Sequence, residues 1–148
     1  MPQTTIRALE STVHRQICDY ISLKYPQVFF MSDASGNLTP LQSKMASVLR
    51  SSRGVPDIFI AAPHGPYCGM WLEVKRDAAE VYKANGSLRE NQHIQEQASV
   101  LQALMNIGYY ANFAAGFEDA AAKLDWYFGL KPHTKSLVQL PSLSNFES

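Results

Sequence analysis

Two stretches, Gly54-Val55-Pro56-Asp57-Ile58-Phe59-Ile60-Ala61-Ala62 and Met70-Trp71-Leu72-Glu73-Val74-Lys75, decide the fold. Both are β-rich, and Pro63-His64-Gly65-Pro66-Tyr67-Cys68-Gly69 between them is dense in turn formers, so together they predict a β-hairpin. Side chains alternate along a strand, which sets Glu73 and Lys75 on one face. Pairing the two strands brings Asp57 close to Glu73. Converging carboxylates repel unless a cation lies between them, and oxygen donors with open water positions suit Mg²⁺, or Mn²⁺ as a substitute. In phosphodiester chemistry such an ion withdraws charge from a phosphoryl oxygen and lowers the pKa of a bound water, while a lysine positions the nucleophile or neutralises developing charge. Asp57, Glu73 and Lys75 cover these roles.

Upstream, Ile6, Leu9, Val13, Ile17, Tyr20 and Ile21 recur at helical spacing, predicting a helix over Thr5 to Tyr25. Glu10 projects near the edge of that apolar stripe at about 100° per residue. A carboxylate turned inward there needs a cation, a donor or a raised pKa; a glutamate at the rim reaching solvent is the alternative. Downstream, Ser87-x-x-Glu90 reads as a capping box and predicts a helix starting near Leu88. Ile94, Ala98, Leu101 and Met105 make its buried stripe and Gly108 its stop, with Gln92 in the first turn. The remaining elements expected are a strand at Val28 to Met31, a turn at Ser32 to Thr39 and a short helix near Leu41 to Leu49. A mobile loop over the site at Asp77 to Gly86, a strand at Tyr109 to Ala114 and a helix at Phe117 to Tyr127 complete the map. The fold class is α/β.

The segments Ser52-Arg53-Gly54-Val55-Pro56-Asp57, Glu73-Val74-Lys75 and Gly86-x-Leu88-x-x-x-Gln92 resemble the PD-(D/E)XK nuclease superfamily, and within it the stand-alone VRR-NUC (virus-type replication-repair nuclease) family, over roughly Thr5 to Phe128. The resemblance implies a restriction-endonuclease-like core, a mixed central β-sheet flanked by helices, and a Mg²⁺-dependent, structure-selective DNA endonuclease. It implies an acidic residue on the first helix, for which Glu10 is the candidate. It also implies that Gln92 orders the site by bonding the lysine, a water or a phosphate. Asp57, Glu73 and the Val74 carbonyl would hold metal, and Glu10 would support a second ion or orient water. Such proteins resemble homodimeric Holliday-junction resolvases, and a two-fold symmetric four-way junction calls for two related active sites. Nucleases for flaps or single strands, and a non-catalytic DNA-binding module of the same fold, are the alternatives.

The 148 residues are 46% hydrophobic and 18% charged, enough for one ordinary domain with a real core. Residues 1–130 read as that domain. Residues 131–148, with Pro132, Pro141 and several serines, read as a tail that packs on the domain or contacts a second subunit. The formal net charge of +0 is unusual for a DNA-binding protein, although Lys44, Arg50, Arg53 and Arg76 cluster near the site in sequence and are the phosphate-contact candidates. No apolar run spans a membrane and no secretory signal is evident, so a cytoplasmic protein is expected. Cys18 and Cys68 lack CxxC partners, which predicts free thiols. The scattered His14, His64, His93 and His133 argue against a histidine-metal nuclease.

Overall fold

The structure, a computed structural model, describes residues 9–32 and 54–133. Lys44, Arg50, Arg53, the helix expected near 41–49 and the chain beyond residue 133 lie outside the described residues. Among the described residues the elements run α1 (Glu10–Lys24), β1 (Phe30–Ser32), β2 (Ile58–Ile60), β3 (Met70–Lys75), α2 (Ala78–Val81), α3 (Gln92–Asn106), β4 (Tyr110–Ala115) and α4 (Phe117–Phe128).

The strands form one mixed sheet in the order β1-β2-β3-β4. The hairpin is antiparallel in the register Ile58↔Leu72 and Ile60↔Met70. β4 joins β3 in parallel, with Glu73 opposite Phe113, and the chain through α3 supplies the crossover that a parallel pair needs. β3 is buried almost throughout because both of its faces are covered. On one face Met70, Leu72 and Val74 pack with Val13, Ile17 and Ile21 of α1 and with Ala120, Leu124 and Tyr127 of α4. On the other, Trp71 packs with Ala111 and Phe113 of β4, Val81 of α2, and Ile94 and Leu101 of α3. The result is the expected α/β sandwich, a mixed sheet between helical layers.

Several local expectations are corrected. Leu9 is not on the buried stripe: it precedes α1 and is 66% exposed. The capping box does not form. Asn91 caps α3 instead, its Oδ1 accepting from the Ile94 N–H at 2.9 Å, while Ser87 bonds the Asn85 side chain and Glu90 pairs with Lys83. The reason is Leu88, which packs against the second core cluster and bridges to Tyr82, holding the chain extended up to the cap. Met105 is half exposed, and Leu104 packs in its place. Gly108, at φ +104°, ends the helix as expected. The Asp77 to Gly86 segment contains α2, with Asp77 Oδ1 accepting from the Glu80 N–H and Val81 fully buried. At the other end, Lys131 accepts a backbone hydrogen bond from Gly65 and His133 donates one to Pro63, so the chain still packs on the domain just past residue 130. Both cysteines are free thiols.

The far end of α1 is tied to α4 through Asp125, whose carboxylate accepts from the Tyr20 and Tyr25 hydroxyls and the Lys24 ammonium. The Tyr25 hydrogen bond leads in holding the Asp125 carboxyl down at about 2, with further help from Tyr20 and Lys24. Its folded value lies below the ordinary 3.8, so this stabilisation is complete above about pH 4 and is lost as pH falls toward 2. The group is exposed, which discounts its worth. Asp125→Asn should cost on the order of 1 kcal/mol at pH 7, a fall in melting temperature of about 3 °C. In calorimetry that difference should shrink on acidification from pH 4 to pH 2.

Candidate active site

The end of the hairpin is built by a substitution of side chain for backbone. Beyond the Ile58↔Leu72 pair, β2 stops, because the preceding Pro56 has no N–H to give the ladder. Asp57 takes over: its Oδ2 accepts from the Val74 N–H at 2.8 Å. The N–H and C=O of one strand residue point to the same edge, so the Val74 carbonyl also faces the side where β2 has ended. The neighbouring Lys75 carbonyl points the other way and accepts from the Gly116 N–H at 2.9 Å.

Glu73 and Lys75 are the charged side chains buried in the described core, at 7% and 3% exposure. Burial pushes the Glu73 carboxyl up to about 9, and the nearby Asp57 charge adds to it; Lys75 pulls in the opposite direction, and a carboxyl–carboxyl hydrogen bond to Asp57 favours the protonated form. Glu10 also shifts upward, chiefly through burial, with Lys75 opposing and with Glu80 and Asp57 reinforcing. The tertiary fold thus gathers Asp57, Glu73, Lys75 and Glu10, and adds Glu80, which hydrogen-bonds Glu10 and accepts from the Arg76 N–H at 2.8 Å and from its Nε at 3.4 Å. His14, one turn after Glu10 on α1, is bonded to the Ser32 hydroxyl. Burial lowers its pKa and so favours the neutral ring, while Asp57 nearby opposes this.

Gln92 is not brought into this cluster. It is the first residue of α3, exposed to solvent, and donates to Glu96 Oε1 at 2.8 Å. Gln97 reaches the site instead, its Nε2 donating to Glu73 Oε1 at 2.7 Å. Arg76 is engaged by Glu80. Three residues of the cluster therefore escaped the reading from sequence, and each had a local signal. His14 follows Glu10 by four, which places both on one helical face. Gln97 interrupts the apolar series Ile94, Leu101 and Leu104 at helical spacing. Glu80 follows Asp77 by three, the spacing of an N-cap.

The donors at the strand ends, two carboxylates and a carbonyl, are hard oxygens of the kind Mg²⁺ prefers. Among the described residues no three or more His, Cys, Asp and Glu side chains are grouped so as to hold a metal ion by themselves. The residues fit an ion held by Asp57, Glu73 and the Val74 carbonyl, with its other positions left to water and substrate oxygens, which is the usual habit of Mg²⁺.

No family model matches the chain, and no curated protein matches it. A solved structure described as a VRR_NUC domain protein aligns with TM-score 0.53 and 17% identity, covering 85% of this chain and 93% of its own. The chain has a VRR-NUC fold. The mixed four-stranded sheet with helices on both faces matches the restriction-endonuclease-like core expected from the sequence.

Because the Glu73 carboxyl sits above its ordinary 4.5 in the folded chain, the unfolded state releases its proton first. Stability of the metal-free protein therefore falls as pH rises from about 4.5 toward 9. Glu73→Gln removes that slope. In chelator at pH 8 it should melt about 5 °C above the parent, an advantage that vanishes near pH 4.5. An unchanged or lower melting temperature at pH 8 would show that the carboxyl is not strained by its burial.

Proposed function

We propose that this chain is a metal-dependent DNA endonuclease that hydrolyses phosphodiester bonds in branched DNA. One observation carries it: the buried Glu73 and Lys75 stand side by side against Asp57 at the end of β3. A non-catalytic module gains nothing from such a cluster, since burying charged groups without full compensation costs stability. The VRR-NUC fold supports a nuclease without specifying its substrate, because function belongs to the site and not to the fold.

Bound Mg²⁺ would supply charge to the scissile phosphate and a water of lowered pKa. The chain's own residues do the rest. Asp57 is held by the Val74 N–H through Oδ2, and its carboxyl lies beside that of Glu73. Lys75, buried beside them, donates to the attacking water or neutralises the charge that grows on the phosphoryl oxygens. Glu10, backed by Glu80, accepts a proton from that water or orients it. Arg76 and, outside the described residues, Lys44, Arg50 and Arg53 contact phosphates along the duplex. The four-way junction is the preferred substrate in this proposal, cut by a homodimer in which each copy supplies one complete site and the two-fold axes of DNA and protein coincide.

The decisive assay compares a labelled four-way junction with linear duplex, flap and single strand in Mg²⁺ or Mn²⁺. Paired symmetric nicks on the junction are expected, and Lys75→Ala should fold but lose about 10³-fold in rate. Cutting confined to flaps or single strands would replace the substrate. No Lys75-dependent cutting of any DNA would overturn the enzyme and leave a binding module.

A further inference from the structure

We propose that Gln97, and not the motif residue Gln92, is the amide that positions Glu73 for catalysis; the inference rests on the nuclease reading above. The two glutamines are five residues apart on one helix, about 140° around its axis, so they cannot serve the same site. Gln92 is spent on Glu96 at the exposed start of α3. Gln97 sits one turn in, between the buried Ile94 and Leu101, and crosses to the sheet to bond Glu73 at 2.7 Å.

Two further features separate this contact from ordinary core satisfaction. The Oε1 of Gln97 is buried and accepts no hydrogen bond from a protein group among the described residues, so water is the donor open to it. The amide carries Nε2 and Oε1 together, so this acceptor lies near the Glu73 carboxyl that Nε2 holds. Gln97 also lines a groove of about 610 Å³ with Gly54, His93, Glu96 and Val100. One side chain therefore holds Glu73 Oε1 and borders the groove on this side of α3.

Acting through Glu73, Gln97 is a positioning residue, and removal of such a partner of a metal ligand characteristically costs about 10–100-fold in metal affinity or activity. The experiment uses the full chain and measures Mn²⁺ affinity by calorimetry, and kcat and KM on the DNA substrate, for the parent, Gln97→Leu, Gln97→Met and Gln92→Leu. Thermal unfolding reports whether each variant folds; the flexible Met side chain serves should Leu fail. The expected result is a loss of about 10–100-fold in both Mn²⁺ affinity and kcat for the folded Gln97 variant, with KM for DNA unchanged and Gln92→Leu like the parent. Parental Mn²⁺ affinity and kcat in the Gln97 variant, or a loss that falls on Gln92→Leu instead, overturns the assignment. A parent protein that neither binds Mn²⁺ nor cuts DNA fails at the nuclease reading itself, an outcome distinct from either.

Discussion

The hydrogen bond from the Val74 N–H to the Asp57 carboxylate marks the point at which the sheet stops being a ladder and becomes a site. Pro56 cannot donate to the ladder, and the carboxylate of the next residue fills the position that backbone would have taken. Once Asp57 is held there, Glu73 and Lys75 have no freedom about which face they occupy, because the alternation of β3 is fixed by the apolar Met70, Leu72 and Val74 packed on the opposite side. A slip of one residue would turn Glu73 and Lys75 into the α1–α4 layer and take Met70, Leu72 and Val74 out of it. The cluster and the core thus enforce the same register.

The helices then complete what the hairpin begins. Val13, Ile17 and Ile21 press α1 against the sheet, and the Asp125 cluster ties its far end to α4. With the helix held at both places, Glu10 and His14 share the face nearest Asp57. On the opposite side of the sheet α2 and α3 present Glu80 and Gln97. Acidic groups from different elements crowd around a single lysine, and the raised Glu73 and Glu10 values are the electrostatic consequence. The strain is tolerable because two apolar layers, one on each face of the sheet, supply the stabilisation that the site withdraws.

A VRR-NUC fold at 17% identity to a solved neighbour illustrates how little of a sequence such an architecture requires. What it requires is patterning: a hydrophobic stripe on each long helix and two short β runs around a turn. Chemistry is a separate layer of constraint, carried by a handful of polar side chains at the strand ends, and it is on those residues that any function must be judged.

The hairpin, the long helices and the placement of Asp57, Glu73 and Lys75 were legible in the sequence because each depends on short-range rules: period-two alternation, helical spacing, and a register step from one strand to the next. The start of α3 was misread because Ser87 and Glu90 satisfy a local capping pattern while the burial of Leu88, a tertiary contact, keeps the chain extended to Asn91. The same cause misplaced the glutamine. A motif counts residues along the chain, but the amide that meets Glu73 is selected by how α3 is rotated against the sheet, and that rotation is set by Ile94 and Leu101 in the core. The sequence by itself determined which residues could bear the chemistry of the hairpin; only the packing of helices on the sheet decided that Glu10, His14, Glu80 and Gln97 join them, since distance between elements is a property of the packed core and not of any one segment.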